Sequence, residues 1–238
     1  MKKVGLMVSE IPFSNMPVLL KASGLDFFIL DYEHGSFDYS AMFQMITNAK
    51  LSGIECIVRL PNNERKDIIK LLDMGASGLL LPMTSTKEDI EKVVMYAKYP
   101  PLGKRGVSTM RAHTLYNPPK VLDYMEEANK KVKVFAQIET VDGVNNLESI
   151  LNVEGVSGAL IGPNDLSADY GCLGDDNAKE VLNAIEKLAK YNNKSIGIIT
   201  GNKNYLKKAH ELGYEYYSIG SELNAISNYS KKIIEENK

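Results

Sequence analysis

Cysteine is scarce in this 238-residue chain. Cys56 and Cys172 form no disulfide framework and no close-spaced metal or redox motif. Cys56 lies in an apolar, strand-like run, where a buried thiol is the expectation. An excess of one charge is also missing. The 28 basic and 30 acidic residues leave a net charge of −2, so nothing electrostatic favours nucleic acid or an anionic membrane surface as a partner. No uninterrupted apolar run approaches transmembrane length. The opening MKKVGLMVSE has two lysines but no long apolar region and no clear cleavage site, so no signal peptide is expected. These absences together predict a cytoplasmic protein. Several signatures are absent too: GxGxxG, a Walker loop, a GxSxG elbow and zinc-type Cys/His spacing. No lysine falls within a strand core, so Schiff-base chemistry lacks an obvious nucleophile.

The residues present have an ordinary globular balance, 44% hydrophobic and 24% charged. Short β-rich apolar runs recur along the chain: VGLMV, FFILD, CIVRL, GLLLP, KVFAQIE, GALIG, SIGII and YYSIG. Each is nearly continuous rather than alternating, as expected for parallel strands covered on both faces. Helical patterns lie between them, including MPVLLKA, RKDIIKLLDMG and KEDIEKVVMYAK. Gly24, Gly53, Gly75 and Gly213 stand where helices would end, and Thr86 stands where one would begin. Repeated strand–helix alternation predicts an α/β fold, a (β/α)8 TIM barrel, as one domain over residues 1–238. An open doubly wound sheet is the weaker alternative, because no topological break is visible. The least regular stretch, Tyr99 to Pro119, is long for a loop.

In such a barrel the active site gathers at the C-terminal strand ends. FFILDYEHG supplies Asp31, Glu33 and His34; CIVRLP supplies Arg59; AQIET supplies Gln137 and Glu139; LIGPNDLS supplies Asn164 and Asp165. Glu139 and Asp165 close successive strands and are hard oxygen donors, a pattern that suits Mg²⁺ or Mn²⁺ with positions left for water and substrate. Taken singly, Asp165 could cap a helix and Glu139 could close a salt bridge. Arg59 could grip a carboxylate through paired hydrogen bonds or form a structural ion pair. His34 suits a general base, with Asp31 three residues before it and Asp73 on a neighbouring segment.

Six ordered motifs, DYEHGSFD, VRLP, LLDMGASGLLLPM, YPPLGKRGV, AQIET and IGPNDLSADYG, resemble the HpcH/HpaI aldolase family, most closely from Phe27 to Gly171. The resemblance implies a class II pyruvate aldolase dependent on Mg²⁺, Mn²⁺ or Co²⁺. Such an enzyme cleaves 4-hydroxy-2-oxo acids to pyruvate and an aldehyde through a stabilised pyruvate enolate. It implies that Glu139 and Asp165 hold the metal and that Arg59 holds the pyruvate carboxylate. His34 would be the base, partnered by Asp73. Gln137 and the segment Gly162, Pro163, Asn164 and Asp165 would line the pyruvyl site. It further implies a homo-oligomer, hexamer or trimer, with the C-terminal helix exchanged between subunits. Related chemistries for the same site are a citryl- or malyl-thioester lyase and an oxaloacetate decarboxylase. A non-catalytic keto-acid binder is a third possibility, which the intact residue set argues against. The chain departs from the family pattern in entering its first strand almost at once, and in the bulk of Asn164 and Tyr32. Those two residues are the expected places for the aldehyde preference to differ.

Overall fold

The computed structural model describes residues 1–237. Eight strands form a closed parallel barrel in sequence order: β1 (Lys3–Val8), β2 (Phe27–Asp31), β3 (Glu55–Arg59), β4 (Gly78–Leu81), β5 (Lys133–Ile138), β6 (Gly158–Ile161), β7 (Ser195–Ile199) and β8 (Tyr216–Ser221). The helices are α1 (Met16–Ala22), α2 (Tyr39–Ser52), α3 (Arg65–Met74), α4 (Lys87–Ala97), α5 (Val121–Lys131), α6 (Val141–Asn145), α7 (Leu147–Leu151), α8 (Pro163–Asp169), α9 (Lys179–Ala189), α10 (Lys203–Glu211) and α11 (Glu222–Glu236). Closure is set by β1, which pairs with both β2 and β8. Among the described residues no helix is long and apolar enough to cross a membrane.

Side chains alternate across a strand, so every second residue enters the barrel. Phe28, Leu30, Cys56 and Val58 face the helices and join the larger core between sheet and helices. Their neighbours Phe27, Ile29, Ile57, Leu80, Phe135, Leu160 and Tyr216 fill the barrel's middle with no exposed surface. The same parity sends Asp31, Arg59, Gln137 and Glu139 inward at the C-terminal rim. It also sends Lys3, Glu55 and Lys133 inward at the opposite pole.

That second polar layer was not expected from the apolar runs. It closes the bottom of the barrel. Glu55 accepts from Lys3 Nζ at 2.9 Å and Lys133 Nζ at 2.6 Å. Both lysines also donate to the Tyr216 hydroxyl. Burial works against the charge on Lys3, but its bonds to Tyr216 and Glu55 carry its pKa upward; on Lys133 burial prevails and lowers it.

The helices follow the expected pattern with three differences. VNNLESILN is divided between α6 and α7. GPNDLSAD, where Asp165 was expected to be able to cap a helix, forms α8 with Gly162 as its cap instead. The helix α5 was not expected; it follows the irregular Tyr99–Pro119 stretch, and only Ala128 of its residues is buried. The predicted caps hold. Gly53 and Gly75 close α2 and α3 in the left-handed region, and Thr86 forms a capping box with Asp89. Cys56 is buried, and burial pushes its thiol pKa up.

Candidate active site

Asp31 and Arg59 are aligned Cα to Cα across β2 and β3. Their side chains form a two-pronged ion pair: Arg59 Nε donates to Asp31 Oδ1 at 2.9 Å and Nη2 to Oδ2 at 2.7 Å. Arg59 Nη1 lies 3.2 Å from Glu33 Oε2. Burial disfavours the guanidinium's charge, but Asp31, Glu33 and Glu139 more than offset this and raise its pKa. Asp31 is 2% exposed and Arg59 7%, so the pair is fixed in place and the guanidinium sits at the mouth of the barrel. Asp31 Oδ1 also accepts from the backbone N–H groups of Glu33 and His34, at 3.1 and 3.3 Å. One carboxylate therefore orients both Arg59 and the loop carrying His34. The His34 imidazole is open to solvent, with Nε2 3.8 Å from Glu33 Oε2. Burial raises the Glu33 pKa, with Arg59 and His34 opposing.

Glu139 follows β5 directly and is 2% exposed. Its Oε1 accepts from the Met83 backbone N–H at 2.7 Å, and its Oε2 from Gln137 Nε2 at 2.6 Å. Met83 takes φ = 50°, an uncommon conformation for a residue with a side chain, which presents its N–H to the carboxylate. Nothing in the sequence signals this contact. Gly162 caps α8. A Cβ there would lie 2.8 Å from Glu139 Oε2 and 3.3 Å from Gln137 Nε2, so glycine is needed for the carboxylate to sit where it does. Pro163 is buried at the first helical position. Asp165 lies in the first turn of α8, exposed on the rim beside Asn164. It does not cap that helix, because Gly162 does.

Burial pushes Glu139 up to about 7. The negative charges of Asp165 and Glu33 add to this, while the Met83 N–H and Arg59 oppose it. The rim thus concentrates more negative charge than Arg59 neutralises. The amide oxygen of Gln137 is buried there without a hydrogen-bond partner among the described residues. This donor set fits a small hard cation. Among the described residues no group of three or more His, Cys, Asp or Glu side chains is placed to hold a metal. Two carboxylates with open positions are what Mg²⁺-type sites commonly use.

Two expectations are corrected. Asp73 does not partner His34 within this chain. It accepts from Arg105 Nη2 at 2.8 Å and lies 3.5 Å from His113 Nδ1. Burial opposes its charge, but these two partners lower its pKa. Arg105 also stacks over Tyr99 at 4.8 Å, and His113 stacks on Tyr124. Asp73 therefore clasps the long segment before α5 against α3. Tyr32 follows the inward-facing Asp31, so parity turns it outward; its ring packs on Tyr39 at 5.8 Å rather than lining the mouth.

The HpcH/HpaI aldolase/citrate lyase family profile matches residues 14–228. The chain belongs to the HpcH/HpaI aldolase/citrate lyase family. Among its relatives, 5-keto-4-deoxy-D-glucarate aldolase of Escherichia coli is 34% identical over 218 residues, covering 90% of this chain and 84% of that protein. The crystal structure of an HpcH/HpaI aldolase from Desulfitobacterium hafniense superposes with a TM-score of 0.93 at 30% identity, covering 100% of this chain and 93% of that one. The citrate synthase SbnG superposes with a TM-score of 0.86 at 28% identity, covering 99% and 93%. For this HpcH/HpaI member, the rim described above is the site to be explained.

Proposed function

We propose that this chain is a divalent-metal-dependent aldolase that cleaves 4-hydroxy-2-oxo acids to pyruvate and an aldehyde. The observation that carries the proposal is the fixed Arg59 fork beside an under-neutralised pair of carboxylates, Glu139 and Asp165. Similarity to a 5-keto-4-deoxy-D-glucarate aldolase supports the choice of a hydroxy-oxo acid. Glu139 and Asp165 would hold Mg²⁺, Mn²⁺ or Co²⁺, with Gln137 beside them. When bound, the metal supplies Lewis-acid polarisation of the 2-keto group.

The protein's own groups carry the remaining steps. Arg59, held by Asp31, pairs with the substrate carboxylate and stabilises negative charge as it develops on the pyruvyl oxygen. Gly162, Pro163 and Asn164 wall the pyruvyl end. His34 accepts the proton of the 4-hydroxyl. The C3–C4 bond breaks, its electron pair passes to C3 to form the pyruvate enolate, and C4 becomes the aldehyde carbonyl. Protonation of the enolate at C3 then gives pyruvate. Glu33 Oε2 lies between the two groups, 3.8 Å from His34 Nε2 and 3.2 Å from Arg59 Nη1.

The test is pyruvate release from hydroxy-oxo acids with and without EDTA and added Mg²⁺ or Mn²⁺. Chelation should abolish release, and the metal should restore it. Release unaffected by chelation would defeat the proposal. Turnover confined to oxaloacetate or malyl thioesters would replace the aldol reaction with decarboxylation or thioester cleavage at the same residues. Assembly into a homo-oligomer is proposed on α11. Its apolar residues Leu223, Ile226, Tyr229, Ile233 and Ile234 are exposed in the protomer, and only Glu222 of this helix is buried. That face would pack on a neighbouring subunit.

A further inference from the structure

Glu222 opens α11 directly beyond β8 and is 5% exposed, yet no cation pairs with it among the described residues. Its Oε1 instead accepts from three successive backbone N–H groups of the loop after β1: Ser9 at 2.8 Å, Glu10 at 2.7 Å and Ile11 at 3.3 Å. Its Oε2 is buried without a partner. A buried carboxylate with half its bonding capacity unused is costly, so fixing this loop is a specific gain set against that cost.

The loop it fixes touches the catalytic rim. The Ser9 carbonyl accepts from the Ser36 N–H at 3.0 Å. The Ser36 hydroxyl donates to Glu10 Oε2 at 2.8 Å. Gly35 is wedged between these segments: a Cβ there would lie 2.1 Å from the Asp31 carbonyl oxygen and 2.8 Å from that of Ser9. His34 precedes this wedge, and its other anchor is Asp31 through the backbone. A continuous set of hydrogen bonds therefore runs from the first residue of α11, through Ser9–Ile11, to the loop that bears the imidazole.

We propose that Glu222 is a positioning residue: its carboxylate holds the loop after β1, and that loop sets the place of His34. The proposal rests on His34 being the base of the aldol cleavage. It also ties the reacting end of the site to α11, whose apolar face is unpartnered in the protomer. The substrate's carboxylate grip lies elsewhere, on Arg59. Loss of the tether should therefore slow the chemical step more than it weakens binding.

The experiment uses the full chain with Glu222→Gln, which keeps shape and one acceptor but removes the charge, and Glu222→Ala. Amide hydrogen exchange is followed alongside steady-state kinetics. In Glu222→Gln, exchange at Ser9, Glu10, Ile11 and Ser36 should rise by about tenfold, the scale of one weakened hydrogen-bond cluster. The kcat should fall about 10- to 100-fold through misplacement of the base, with KM for the oxo acid within about twofold. Glu222→Ala should show larger changes of the same kind. Faster exchange confined to Ser9–Ile11, with Ser36 unchanged, would overturn the proposal. So would wild-type kcat in a variant whose Ser36 amide exchanges fast, or a rise in KM with kcat unchanged. If the wild-type chain shows no lyase activity, the assigned reaction fails, and exchange at Ser36 decides by itself whether the tether exists.

Discussion

The two poles of the barrel are built from the same pattern and end in opposite electrostatic states. On β3 the inward residues run Glu55, Ile57, Arg59, and on β5 they run Lys133, Phe135, Gln137, with Glu139 beyond the strand. Charge lies at both ends with apolar side chains between. At the bottom, Glu55 is shared by two lysines and the Tyr216 hydroxyl, so anion and cations satisfy one another. At the rim, Arg59 is taken by Asp31 and Glu33, while among the described residues Glu139 and Asp165 form no ion pair of their own. The bottom is a closed polar plug. The rim holds negative charge in reserve, and under the proposed function that reserve would recruit a cation. Buried charge marks both poles; charge left unneutralised marks only the candidate site.

Substitutions at matching depths can break this contrast. The largest effect belongs to Glu139→Gln. It should lower kcat by on the order of 1,000-fold, through loss of several kcal/mol of charge stabilisation. It should also abolish calorimetric binding of Mn²⁺. Because burial already pushes the Glu139 carboxyl up to about 7, a neutral amide should leave Tm unchanged or higher. A fall in Tm with activity retained would place Glu139 among structural groups like Glu55. Next is Arg59→Lys, which keeps the charge and loses the fork. It should cut kcat/KM by about 100-fold, because an ammonium cannot satisfy Asp31 and a substrate carboxylate with the same geometry. Wild-type kinetics for this variant would show that the guanidinium serves only the ion pair.

At the opposite pole, Glu55→Gln should leave kcat and KM at wild-type values and lower stability by about 1–3 kcal/mol, since two half-buried lysines lose their shared carboxylate. Urea denaturation reads this directly. Lost activity with unchanged stability would mean that the plug communicates with the rim, and the contrast would fail.

How much of this could be read from the chain depends on the range of the interaction. The eight strands were legible because strands covered on both faces are continuous apolar runs, as in FFILD and GALIG. The polar residues that close those runs then marked Asp31, Arg59, Gln137 and Glu139 as one rim. Local spacing says nothing about which distant group a side chain meets. Asp73 could be placed at the end of α3, but its capture by Arg105 depends on the path of the Tyr99–Pro119 segment, which has no periodicity. Glu222 carries no local signal, because its three N–H donors come from the far end of the chain. Met83 was silent because its contribution is a backbone angle. The pole at Lys3, Glu55 and Lys133 was overlooked because each residue sits at the first position of its strand, where polar residues are ordinary.

The smallest effect tests a third way of holding a charge, outside both poles. Lys98 is 3% exposed and has no carboxylate partner among the described residues; its Nζ donates to the carbonyls of Asn129, at 2.7 Å, and Val132. Burial, with Arg105 adding repulsion, lowers its pKa from 10.5 to about 8. Between those two values the unfolded chain holds more protons than the folded one, so this group's contribution to stability rises with pH across that window. Below it both states are charged and the contribution is constant. Lys98→Met removes the proton exchange. From about pH 7.5 to 8.5, stability of the wild type should gain on that of the variant by under about 1 kcal/mol. Chemical denaturation at the two pH values measures the difference. A gap that stays constant would mean that the two carbonyl acceptors hold Lys98 fully charged, and that dipoles alone can do at this site what Glu55 does for Lys3 at the bottom of the barrel.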